Sequence, residues 1–178
     1  MTLSVMIVVK MTILECSLLW NPTTKKYKTL PVFRPIYGNI YGLGYGELHD
    51  DYKVVGISRK YNKEGSRDIE VKVYSLKSDS WTSVDACGEI LNGSCRKMIL
   101  NGSGLFTNGK LHWQTIIAGP NFSNARKGRD IISFDLTNEK WEKMEKPSYG
   151  VNETDLCMGT FGSDLCVFSY YKGLVLRL

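Results

Sequence analysis

Three copies of one nine-residue pattern constrain this chain more than any other feature of its sequence. They are LWNPTTKKY (Leu19 to Tyr27), VYSLKSDSW (Val73 to Trp81) and SFDLTNEKW (Ser133 to Trp141). In each, an aromatic residue (Trp20, Tyr74, Phe134) precedes a polar turn, and a second aromatic (Tyr27, Trp81, Trp141) follows seven positions later. Asn, Asp, Ser and Thr side chains hydrogen-bond turn backbone, and Pro22 pre-sets φ in the first copy. The second aromatic then pairs with the first across the new strand. The pattern therefore reads as one β-hairpin written three times, with intervals of 54 residues (20 to 74) and 60 residues (74 to 134).

Each interval has room for about four strands of typical length, roughly 5–6 residues. The candidates are Tyr52–Arg59, Asp68–Tyr74, Gly104–Thr107, Lys110–Ile117, Asp130–Asp135, Leu156–Phe161 and Leu165–Tyr171. Asn108-Gly109 between two apolar runs is a strong hairpin signal, and Gly162-Ser163-Asp164 joins the last two runs. No segment carries a helical period with caps. Four strands per unit, repeated every 40–50 residues or somewhat more, describe blades of a β-propeller. The expected fold is all-β: a partial or open β-propeller of about three four-stranded antiparallel units, which the resemblance given below makes kelch-like. An irregular β-sandwich with three similar hairpins is the alternative. In this reading Trp20, Trp81, Trp113 and Trp141 pack between blades, while Tyr37, Tyr41, Tyr45 and Tyr61 fall in loops.

The remaining sequence excludes several classes. Lys and Arg exceed Asp and Glu by five, but the basic residues are dispersed and form no nucleic-acid stripe. The apolar stretch before Lys10 is too short to cross a membrane, and its order is wrong for a signal peptide. Val5, Ile7, Val8 and Val9 read instead as a buried strand. The sequons at Asn92, Asn101, Asn121 and Asn152 then count as polar turn sequence. Cys16, Cys87, Cys95, Cys157 and Cys166 match no zinc spacing. All five read as reduced, structural thiols, in keeping with a cytoplasmic or nuclear protein.

Chemistry is sparse. The two histidines are His49, in a turn beside Asp50 and Asp51, and His112, a strand residue next to Trp113. Gly42-Leu43-Gly44-Tyr45-Gly46 resembles a phosphate loop, but Glu47 stands where the third glycine of a dinucleotide fingerprint belongs and strand sequence follows. We expect no catalytic residues, no metal site and no cofactor. Loops on a rigid scaffold carry function, and Tyr and Arg anchor interfaces. The segments Arg59–Asp68 and Gly119–Asp130 are therefore the expected partner-binding regions, with Arg59, Tyr61, Arg67, Asn121, Arg126 and Arg129 as candidate contacts.

The strings LWNPTTKKYKTLP (from Leu19), YGLGYGELHDDYKVV (from Tyr41), VKVYSLKSDSW (from Val71), FTNGKLHW (from Phe106) and ISFDLTNEKW (from Ile132) resemble, in order, signatures of the F-box-associated domain of plant F-box proteins. That group includes F-box/kelch-repeat and S-locus F-box proteins. The resemblance covers about residues 13–171. It implies a non-catalytic domain that holds a protein substrate for an SCF-type ubiquitin ligase, with a Skp-type adaptor and cullin recruited through a separate F-box. Residues 1–12 read as an atypical N-terminal strand segment and 13–178 as the kelch-like domain, truncated at its C-terminus. No F-box is expected here, so adaptor binding requires one to be supplied. Three blades do not close a ring, and an open array exposes edges, so marginal stability or a compact non-ring arrangement is expected. A propeller-type sugar-binding or hydrolytic domain, and a non-functional remnant of an F-box gene, stay open as alternatives.

Overall fold

The hairpin repeat is present in the structure, a computed structural model that describes residues 7–11, 16–33, 37–61, 67–86, 97–99, 103–117, 130–144 and 155–170. Each aromatic pair lies directly opposite across its two strands: Trp20 with Tyr27, Tyr74 with Trp81, Phe134 with Trp141. The residue after the first aromatic organises each turn. Asn21 Oδ1 accepts from the amides of Thr23 and Thr24, Ser75 Oγ from that of Ser78, and Asp135 Oδ1 from those of Thr137 and Asn138. Each turn then closes through a left-handed residue at the same place in the pattern: Lys25 at φ 56°, Asp79 at 53° and Glu139 at 55°.

Around these hairpins the chain builds antiparallel sheets in sequence order. The first holds β1 (Ile7–Met11), β2 (Cys16–Asn21) and β3 (Lys26–Thr29). The second holds β4 (Tyr37–Gly46), β5 (Asp51–Tyr61), β6 (Arg67–Ser75) and β7 (Ser80–Val84). In the third, β8 (Lys97–Ile99) flanks β9 (Ser103–Thr107), β10 (Lys110–Ile117), β11 (Asp130–Asp135) and β12 (Lys140–Met144). The fourth is the hairpin of β13 (Asp155–Phe161) and β14 (Asp164–Tyr170). A short parallel contact, Tyr41 with Ser103 and Gly42 with Gly104, joins the second and third sheets along β4 and β9. The arrangement is all-β and is that of an open propeller, although the units are unequal. Among the described residues two have four strands in line, one has three and one has two.

The sheets stack face on face, because alternate residues of a strand point to opposite sides. On one side of β5, Val54 joins Tyr74, Leu19, Leu30, Phe33 and Tyr41 in a buried cluster between the first two sheets. On the other side, Val55 and Ile57 join Val71, Val73, Leu111, Trp113, Phe134, Leu136 and Trp141 between the second and third. In both interfaces the aromatic pair of one sheet faces the sheet before it.

Several expectations are corrected. Tyr37, Tyr41 and Tyr45 lie in strand β4, not in loops, and Tyr61 ends β5. The run from Gly42 to Gly46 is neither a phosphate loop nor a turn: its glycines clear space for the next sheet. A Cβ on Gly42 would lie 2.7 Å from Trp113 Cζ2, and one on Gly44 would lie 2.5 Å from Leu136 Cδ1. The alternation of Gly with Leu and Tyr is thus a strand pattern in which one face has been stripped of side chains to admit Trp113 and Phe106. Trp20 is 38% exposed and does not pack between sheets as Trp113 does. Cys157 and Cys166 are free, but Cys157 is exposed rather than buried among apolar residues. The strand expected near Ile7 to Val9 is present as β1. Cys16, Cys87 and Cys95 lie outside the residues whose side chains are described.

A candidate interaction surface

Sheet topology sorts the connections into two rims. The parallel pairing of β4 and β9 gives β5 the direction of β10, and β6 that of β11. The short turns after β4, β6, β9 and β11 accordingly gather on one rim, and the pairs Lys28–Asp79 and Thr107–Ser163 bring the turns after β2 and β13 to it. The connections from β5 to β6 and from β10 to β11 leave from the other.

The short-turn rim is bound up in its own charge network. Asp51 is buried and accepts from Ser75 Oγ (2.5 Å) and from the Lys77 amide (3.0 Å). Lys77 Nζ donates to the His49 carbonyl at 2.7 Å and lies 3.7 Å from Asp50. The Tyr45 hydroxyl also bonds Asp50, and this bond, followed by Lys77, holds the Asp50 carboxyl below the usual range. Asp79 accepts from the Tyr74 hydroxyl at 2.6 Å and pairs with Lys28 at 3.0 Å, with the same consequence for its carboxyl. Burial alone would raise Asp135, but the donors from Asn138 and Thr137 outweigh it and the carboxyl sits low. Lys53 is buried under the third turn, where its Nζ donates to the Leu136 carbonyl and to Glu139 Oε1, both at 2.8 Å. Two of these contacts, Lys28 with Asp79 and Lys53 with Leu136 and Glu139, join the turns of adjacent sheets, and the others hold single turns.

The sequence-predicted contacts belong to the opposite rim. Arg59, Tyr61 and Arg67 are backbone-paired ends of the β5–β6 hairpin, Arg59 opposite Ile69 and Tyr61 opposite Arg67, rather than residues of a long loop. Strand pairing runs farther than the expected Tyr52–Arg59, because Lys60 and Tyr61 continue β5 opposite Asp68 and Arg67. Asn121, Arg126 and Arg129 lie outside the described residues. The strands that flank them end at Ile117 and begin at Asp130, on the same rim as the β5–β6 connection.

Sequence reasoning did not find the pairing of His112 with Ser133. His112 Nδ1 lies 2.7 Å from Ser133 Oγ, both residues are buried, and they face each other across β10 and β11. Alternation in β10 gave the only signal: His112 and Gln114 point away from the side that carries Leu111 and Trp113. Burial lowers the His112 pKa, against a hydrogen bond with the Thr107 backbone that raises it. Ser133 and a neutral His112 satisfy each other inside the sheet stack, as the strand reading of His112 anticipated. Among the described residues no group of three or more His, Cys, Asp or Glu is placed to hold a metal ion. No helix among them is long and apolar enough to cross a membrane.

Stacked antiparallel blades, with turns of adjacent sheets joined by ion pairs on one rim and hairpin connections on the other, define a propeller-type scaffold. The chain belongs to the F-box associated beta propeller domain family, whose model matches residues 6–172. Similar proteins from Arabidopsis thaliana include F-box protein At4g22390, 33% identical over 85% of this chain and 41% of its own length. F-box/kelch-repeat protein At3g23880 is 27% identical over 87% of the chain and 40% of its length, and F-box protein CPR1 is 27% identical over 85% and 41%. The chain thus spans about two fifths of the length of these curated relatives.

Proposed function

We propose that this chain is a substrate-recognition module of the ubiquitin pathway, acting in the cytoplasm or nucleus, and that it binds a protein target without transforming it. The family match over residues 6–172 carries this reading. The relatives are F-box proteins by name, and an F-box supplied with this domain would recruit a Skp-type adaptor and cullin. The target-binding rim is the one at which β5 meets β6 and β10 meets β11, with Arg59, Tyr61, Arg67, Asn121, Arg126 and Arg129 as contacts. Two considerations support that choice. Lys28, Lys53, Lys77, Asp79 and Glu139 of the opposite rim are internally paired, whereas Arg and Tyr are residue types that anchor interfaces. An excess of positive charge favours an acidic target surface.

The test is affinity purification of the tagged chain from plant extract, beside a variant carrying Arg59→Glu, Arg126→Glu and Arg129→Glu. One reproducible protein captured by the parent and lost by the variant supports the reading. Co-recovery of adaptor and cullin extends it to ligase assembly. Capture of no protein, or equal capture by both chains, sinks it.

A further inference from the structure

The second strand of each repeated hairpin stands at an outer edge, and the three edges are not alike. Among the described residues β3, β7 and β12 each pair with one strand only. About half of each strand's amides and carbonyls therefore point outward, a template for another strand. β7 belongs to the second sheet, which packs against the first on one side and the third on the other. Its edge is thus a flank of the stack and not an end of it.

Aligned on the aromatic, the strands read Lys26-Tyr27-Lys28-Thr29, Ser80-Trp81-Thr82-Ser83 and Lys140-Trp141-Glu142-Lys143. Charge, and Lys above all, protects an open edge from pairing. β3 and β12 carry Lys26 and Lys140 before the aromatic. β7 has Ser80 there, and no charged residue from Ser80 to Val84. Ser80, Thr82 and Ser83 are exposed, and Trp, Thr and Val favour extended backbone. The strand is also held firmly. Trp81 lies against Phe33 and Tyr74, ring centroids 5.2 and 5.3 Å away, and its Nε1 donates to the Pro31 carbonyl at 2.8 Å. Thr82 Oγ1 donates to the Val73 carbonyl at 3.2 Å, across to β6. An added strand would meet a fixed edge, with little ordering cost on this side.

The edge leads to the rim assigned above to the target. β7 starts at Ser80 beside the short turn and runs to Val84, opposite Val71. Past Val71, β6 extends back to Arg67, opposite Tyr61. Arg59, Lys60 and Arg67 stand there against Asp68 and Glu70, so the path is uncharged along β7 and basic at its end. We propose that an extended segment of the protein target adds to β7 as an antiparallel strand, uncharged beside Ser80–Ser83 and acidic where its N-terminal end reaches Arg67. This rests on the reading of the chain as a target-binding module. Antiparallel pairing joins the other neighbours within this sheet, and main-chain hydrogen bonds supply the affinity in strand addition. A charged residue opposite Ser80, Thr82 or Ser83 would find no counter-charge on β7.

The probe is a fluorescent peptide, Glu-Glu-Val-Thr-Val-Thr-Val, with the reversed order Val-Thr-Val-Thr-Val-Glu-Glu as control. Fluorescence anisotropy with the full chain should show the first binding at least about tenfold more tightly than the control. Amide exchange should slow in β7 and not in β3 or β12. Ser80→Lys with Ser83→Lys gives β7 the lysines of β12 and should weaken binding by at least about tenfold. Circular dichroism checks that this variant folds, and Thr82→Lys replaces it if it does not. Absence of binding, equal binding by parent and lysine variant, or slowed exchange only outside β7 overturns the proposal. So does a doubled mass of the free chain that the lysine variant abolishes, which would assign the edge to a second copy. The lysine variant also enters the purification described above. A target that it retains and the arginine variant loses overturns this inference and leaves the function standing, whereas capture of no protein overturns the function itself.

Discussion

Replacing Gly44 with alanine should destabilise the fold substantially, whereas the same change at Gly46 should not. A methyl at Gly44 would lie 2.5 Å from Leu136 Cδ1 and 2.8 Å from Phe106 Cε2. Carbon atoms pack best at about 3.5–4.0 Å, so the new group overlaps both neighbours by roughly 1 Å. Leu136 is fully buried and cannot swing aside. Overpacking of this kind costs about 1–3 kcal/mol, against which alanine recovers at most about 1 kcal/mol of glycine's backbone entropy. At Gly46 the nearest atoms are the Asp51 and Leu136 carbonyl oxygens at 3.7 Å, and φ of −92° suits any residue. A net loss of about 2 kcal/mol at Gly44 would lower the melting temperature by roughly 4–8 °C in a chain of this size, with Gly46→Ala within about 0.5 kcal/mol of the parent. Urea unfolding of the two variants and the parent measures both. Phe106→Leu in the Gly44→Ala background should return part of the loss, giving a coupling of at least about 0.5 kcal/mol in a double-mutant cycle. Equal midpoints for the two alanine variants would refute the argument that β4 is glycine-rich to admit the third sheet.

Other perturbations test the polar contacts. Lys53→Met keeps the buried stem but leaves the Leu136 carbonyl without its ammonium donor; thermal unfolding should show a loss of about 1–3 kcal/mol. Asp79→Asn keeps a side chain that tolerates φ of 53° and removes the carboxylate. That carboxyl titrates below 3.8 in the fold, so its stabilisation is present above about pH 3.8 and vanishes as pH falls through the lower folded value. The gap in urea midpoint between parent and variant should therefore close on acidification. His112 titrates below 6.5 when folded, so the unfolded chain takes up a proton first as pH falls. Above about pH 6.5 this group contributes no slope, and below it stability declines toward the lower folded value. His112→Gln should remove that decline, measured as urea midpoints on either side of pH 6.5.

The hairpins were legible because their signals are local. Turn formers, an aromatic at each end and a fixed spacing of seven describe one closed unit without reference to the rest of the chain, as Asn21, Ser75 and Asp135 illustrate. β4 was not legible, because its glycines answer to Trp113 and Phe106, which lie more than 60 residues away in sequence. Propensity marks Gly as loop; only the neighbouring sheet explains it. The exposure of Trp20 and Cys157 was hidden for a related reason. Both occupy positions whose equivalents elsewhere face a neighbouring sheet, and composition cannot report which sheet has one. The candidate contacts divide similarly. A strand ending near Arg59 was readable, while its continuation to Tyr61 depends on pairing with Arg67. That the β5–β6 and β10–β11 connections share a rim follows from the parallel pairing of β4 and β9, which no local pattern encodes.

The position of β5 has a consequence for how the molecule opens. Val54 and Val55 are adjacent, point to opposite sides and are both fully buried, so this strand is enclosed by a sheet on either side. Its amides can meet solvent only when the whole stack comes apart, whereas those of β3 and β14 need only local fraying. Hydrogen exchange should thus read the protein from its two ends inward, with β5 last. A lesion in an outer sheet would then stay confined to that sheet, and one in β5 would be felt by the entire chain.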